Sequence, residues 1–197
     1  MQLQIICICN SLRFLEIDSP EEVSGMSASA GGPAGIGEFG GGPALLSELE
    51  LPERLMVWAF RCWIAPLSLK GYILREFARR FGSRESERAL QEFVRFVEAL
   101  HGQTQRVLHF HHPCCPCVGR DEMVILGLLA SAQAADNEGS RAAAFALTGS
   151  NRIAALLSAS RVLSARMADN DLFLPAREAS RVAVMAVNDN AQRPWLQ

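Results

Sequence analysis

Between Leu51 and Met167, apolar side chains recur at three- and four-residue spacings, the period of amphipathic helices rather than of strands. The first such stretch, "ERLMVWAFRCWI" (53–64), is apolar around most of its circumference. It has Pro52 at a first-turn position and Pro66 as a stop, which predicts a helix for the middle of a bundle or for a buried dimer contact. In "LSLKGYILREFARRFG", Leu69, Ile73, Phe77 and Phe81 fall at four-residue intervals with Tyr72 flanking, and Gly82 follows as a left-handed C-terminal residue. A third helix is expected with Ser83 as its cap and a stripe of Leu90, Phe93, Val94, Phe96, Val97 and Leu100. Glu85, Arg88, Glu92 and Arg95 turn to water, and His101 and Gly102 close it.

Near Gly119 a fourth helix starts, with Asp121 and Glu122 placed against the positive end of its dipole. Ser140 and Ser150 are expected to cap a fifth and a sixth helix, both rich in alanine, which suits close packing. The pattern therefore predicts an all-α fold: one compact bundle of about six helices over residues 45–175. "LFLPAR" is expected to dock on it, and residues 176–197 form a partly ordered tail.

Residues 1–44 are expected to be a flexible, low-complexity head. Over half of "GGPAGIGEFGGGP" (31–43) is glycine, a composition whose chain entropy burial cannot offset. Gly35, Gly37 and Gly40 fit a dinucleotide fingerprint in spacing, but no hydrophobic strand precedes them and a Gly-Pro follows where the helix should open. A second expectation here is that translation begins at Met26 or nearby.

Composition narrows the class. Of 197 residues, 49% are apolar, enough for one ordinary core. Basic against acidic residues number 1 to 7 over residues 1–52, 10 to 6 over 53–106 and 8 to 8 over 107–197, so the net charge of −2 conceals an acidic head and a mildly basic second quarter. The longest apolar run, from Met123, is broken by Ser131 and Gln133, so no membrane span is expected. Without an export signal the expected compartment is the cytoplasm, and the cysteines at 7, 9, 62, 114, 115 and 117 are expected to be thiols or ligands rather than disulfides.

The chemistry concentrates in "HFHHPCCPC" (109–117), ahead of the fourth helix. Imidazole and thiolate suit a borderline-soft ion such as zinc, which makes His109, His111, His112, Cys114, Cys115 and Cys117 the candidate ligands. All of them come from one strip, and a second pair would have to come from His101, Cys62 or Cys7 with Cys9. A thiol-redox role is the alternative, with Cys117 just ahead of a helix N-terminus and near Arg120, a setting that lowers thiol pKa values. The third reading is a structural connector bent by Pro113 and Pro116, approached by a short strand with Val107, His109 and His111 on one face and Leu108, Phe110 and His112 on the other. No catalytic residues are assigned: the chain has no nucleophile elbow, phosphate-cradling loop or H-E-x-x-H.

"ILREFARRFGSRESERAL" resembles a helix-turn-helix at Phe77, Ala78, Phe81, Gly82, Ser83 and Arg84 over about twenty residues. It departs from that pattern in lacking an apolar residue between the turn glycine and the serine, and in having Glu87 where an inward aliphatic is expected. The resemblance implies nucleic-acid contact through Arg75, Arg79, Arg80, Arg84 and Arg88; the competing reading is a solvated face partnered by Glu76, Glu85 and Glu87. The expected role is a non-catalytic interaction or regulatory protein with a protein partner, which could form homo-oligomers. A zinc or thiol sensor and a DNA-binding regulator are the alternatives.

Overall fold

A computed structural model describes residues 4–5, 45–65 and 69–176. Among these lie six α-helices: α1 Leu51–Ile64, α2 Lys70–Phe81, α3 Ser86–Gln103, α4 Arg120–Gln133, α5 Asn137–Thr148 and α6 Ala154–Ala168. Two short strands, β1 Gln4–Ile5 and β2 His109–Phe110, pair in parallel, Gln4 with His109 and Ile5 with Phe110. The all-α bundle expected from the spacing is the fold. The rest of the head, and the tail from residue 177, lie outside the described residues, as do the Gly-rich segment and Met26.

The predicted apolar stripes face inward. Ile73, Phe77 and Phe81 on α2 and Phe93, Phe96, Val97 and Leu100 on α3 are buried, as are Leu55, Met56, Val57, Ala59 and Phe60 on α1. Phe60 is the aromatic hub: its ring centroid lies 5.0 Å from Phe93, 5.6 Å from Phe96 and 6.3 Å from Phe110, so one side chain joins α1, α3 and β2. α4 packs on α5 and α6, and α3 on α2 and α6. The docked segment is present: Leu172 and Leu174 are buried, and the Gln133 amide donates to the Leu172 carbonyl (2.9 Å) and accepts from the Leu174 N–H (2.8 Å).

Helix ends follow the sequence in part. Pro52 stands in the first turn of α1, and Gly119 is the N-cap of α4. Gly82, at φ +77°, ends α2 in a conformation that a Cβ disfavours. The serine caps are corrected. α3 begins at Ser86, not after Ser83, whose carbonyl accepts from the Ser86 hydroxyl. α5 is capped by Asp136, whose carboxylate takes the Gly139 N–H at 2.9 Å, and Ser140 lies inside the helix with its hydroxyl on the Asp136 carbonyl. α6 begins four residues past Ser150, and its free Leu156 N–H is taken by the side chain of Gln103 from the end of α3, at 3.0 Å. Glu92, expected in water, is buried and paired with Arg166 of α6.

Candidate functional site

The His/Cys strip is shaped by two adjacent acids at the start of α4. Pro113 holds φ for the second position of a turn, and the turn closes with the Cys115 N–H on the His112 carbonyl at 2.9 Å. Beneath that turn lies Arg61 of α1, 1% exposed in the core. Its Nε and Nη2 make two bonds to Glu122, at 2.7 and 2.8 Å. Nη1 donates to the carbonyls of Cys115 (2.6 Å) and His112 (3.4 Å), and Nη2 also donates to the carbonyl of Cys117 (2.5 Å). A guanidinium has five N–H donors, and here every one is used. Glu122 is equally saturated: besides Arg61 it accepts from the N–H groups of His111 (3.2 Å) and Gly119 (2.7 Å). A buried ion pair is stable only when its remaining hydrogen-bonding capacity is met, and this one meets it with the backbone of the loop.

Asp121 does the same on the other side. It is paired with Arg106 and accepts the His109 N–H at 2.8 Å, while Arg106 Nε donates to the Ala146 carbonyl in the last turn of α5 at 2.8 Å. A cation at the end of α5 and an anion at the start of α4 each sit at the favourable pole of a helix dipole. Leu45 and Leu46 close the outer edge through an antiparallel bridge to Cys117 and an N–H to the Pro116 carbonyl at 2.7 Å.

On this frame the candidate residues separate. Val107 and His109 are exposed while Leu108 and Phe110 are buried, the alternation read from the sequence; beyond Phe110 the strand ends, and His111 and His112 are both half-buried. Two imidazole–thiol pairs form: His112 Nδ1 lies 3.0 Å from Cys114 Sγ, and His111 Nδ1 lies 3.7 Å from Cys115 Sγ. The His111 ring rests on Gly119, where a Cβ would stand 3.2 Å from it. Cys115 is buried and Cys117 is exposed, on either side of Pro116. Among the described residues, no group of three or more His, Cys, Asp or Glu side chains is gathered as a metal site. His101 is exposed on α3 and Cys62 is buried on α1, where burial pushes its thiol up to about 12 against the pull of Arg61. Cys7 and Cys9 lie outside the described residues.

The expectation of a lowered Cys117 is corrected. Burial, then the Cys115 thiol beside it, push Cys117 up, and the neighbouring Arg61 only partly opposes them. The controlling residue the sequence reading passed over is Arg61. Its signal was present: Arg61 is the one charged residue in the apolar run from Leu55 to Ile64, and an arginine among such neighbours needs a buried partner.

The arginines of α2 and α3 are mostly engaged. Glu76 takes Arg80 at 2.8 Å and Arg79 at 3.6 Å, Glu85 takes Arg88 at 3.7 Å, and Arg75 lies over the Tyr72 ring at 5.8 Å. Arg84 is exposed in the turn between the helices. No helix among the described residues is long and apolar enough to cross a membrane. No family model matches the chain, and neither a curated protein nor a solved structure is significantly similar to it.

Proposed function

We propose that this chain is a non-catalytic regulatory protein that acts on a protein partner through its helical surface, with the oxidation state of the loop His109–Cys117 as its input. The observation that carries this reading is the placement of two thiols, Cys115 buried and Cys117 exposed, on either side of Pro116, with Arg61 bonded to the carbonyls of both. A hydroperoxide oxidises such a pair to a disulfide: two thiols lose two electrons and two protons, the O–O bond breaks, and an alcohol and water leave. The loop is well placed to pass the change on. Arg61 holds the carbonyls of both cysteines and belongs to α1, so pulling the two sulfurs to a bonding distance of about 2.05 Å acts on α1 as well as on the start of α4.

Reduced protein treated with hydrogen peroxide is expected to lose two hydrogens in mass, with peptide mapping locating the bond between Cys115 and Cys117. Absence of that bond under mild oxidant, or its formation at the same rate in urea-unfolded chain, would overturn the reading.

A further inference from the structure

We infer that Cys114 and His112 form the pair that meets the oxidant first, so that the loop contains a peroxide-reactive thiol with its own base as well as a thiol pair that stores the result. The inference rests on the redox reading above. Four thiols are described, and three are poorly suited to first attack. Cys62 and Cys115 are buried, and Cys117 is exposed with a second thiol, Cys115, rather than a base beside it. Cys114 is half-buried, with its sulfur 3.0 Å from His112 Nδ1. A nucleophile and a base within hydrogen-bond reach is the core of the arrangement that activates a thiol. The Cys114 N–H also donates to Nδ1, at 3.4 Å, which assigns the lone pair to that nitrogen, the state in which it can take the thiol proton in place of this weaker contact. The turn that brings them together is the one that Pro113 sets and Arg61 holds through the His112 carbonyl.

The chemistry closes without an unnamed reagent. His112 takes the Cys114 proton, and the sulfur attacks one oxygen of a hydroperoxide. The O–O bond breaks, and the departing oxygen leaves as alcohol or water with the proton from His112. Sulfur has given up two electrons and is a sulfenic acid. The Cys117 thiol displaces water from it to form a disulfide, and exchange with Cys115 transfers the bond to the Cys115–Cys117 pair and returns Cys114 as a thiol.

The test uses the full chain, hydrogen peroxide as oxidant and a cyclic 1,3-diketone that captures sulfenic acids, with peptide mass spectrometry as readout. In Cys117→Ser, where the second step is blocked, the adduct is expected on Cys114. Cys114→Ser is expected to slow formation of the Cys115–Cys117 disulfide at least about tenfold, and His112→Gln, which accepts a hydrogen bond but no proton, to slow capture at Cys114 by at least about the same factor. The urea midpoint of His112→Gln is expected to match that of the wild type, which a loss of packing would not allow. Disulfide formation in Cys114→Ser at the wild-type rate, or capture at Cys114 unaffected by His112→Gln, would overturn the inference while leaving the thiol-pair reading standing. An adduct on Cys114 with no Cys115–Cys117 disulfide in the wild-type chain would support the pair and overturn the proposed function instead.

Discussion

At the scale of single residues, Arg61 and Cys62 are neighbours in sequence whose environments differ in kind. Arg61 is charged and fully buried, yet each donor finds an acceptor, so removing it leaves Glu122 and three carbonyls without their cation. Arg61→Met is therefore expected to cost about 3–5 kcal/mol in a urea titration, the scale for breaking one side of a buried pair. Arg61→Lys should recover little of it, because an ammonium has three donors and no planar fork to span Glu122. Cys62 is neutral, and its raised pKa gives stability a pH dependence of known sign. A group whose folded pKa is raised stabilises the fold fully below its unfolded value, here 9.0, and progressively less as pH climbs toward about 12. The gap in urea midpoint between the wild type and Cys62→Ala is expected to be widest near about pH 8 and to narrow by about pH 11; a gap independent of pH would contradict the buried neutral thiol.

At the scale of elements, what the sequence showed was periodicity, and what it hid was partnership across the chain. The stripes of α2 and α3 are local patterns, readable because the residues of one helix must share one face. Caps were misread because serine is a good cap only when no better acceptor is near. Asp136 takes that place for α5, and for α6 the acceptor is Gln103, more than fifty residues away and invisible to any local pattern. Gln103→Ala is accordingly expected to lower stability by about 1 kcal/mol, as loss of a local cap does, with faster amide exchange in the first turn of α6 as the discriminating measurement. The α4–α5 connection carries a strained position: Ala135 has φ 55°, in the left-handed region where a Cβ costs about 1–2 kcal/mol. Ala135→Gly should raise the melting temperature, unlike most glycine substitutions; a fall would show that the gain in chain entropy of the unfolded state outweighs the relief.

At the scale of the whole molecule, the thiol loop and the bundle are one thermodynamic system, because α1 reaches the loop through Arg61 and α4 reaches it through Asp121 and Glu122. The strip of residue types was legible in the sequence, and so was the turn that its prolines impose. The pairing of His112 with Cys114 was not, because it depends on a guanidinium from another helix fixing where three carbonyls point. That dependence has a measurable consequence. If closing the Cys115–Cys117 bond draws those carbonyls off Arg61, the oxidised fold loses hydrogen bonds that the reduced fold keeps, and a three-residue ring returns little in unfolded-chain entropy. The oxidised chain should then unfold at lower urea than the reduced one. By linkage, the folded loop must be harder to oxidise than the same cysteines in the unfolded chain, by the same free energy. Arg61→Met removes the guanidinium from both states, so the two urea midpoints should converge in that variant, and its thiol pair should oxidise at a more negative potential than in the wild type. Equal midpoints for oxidised and reduced wild-type protein would mean that the ring closes without disturbing Arg61, and that the loop does not signal to α1.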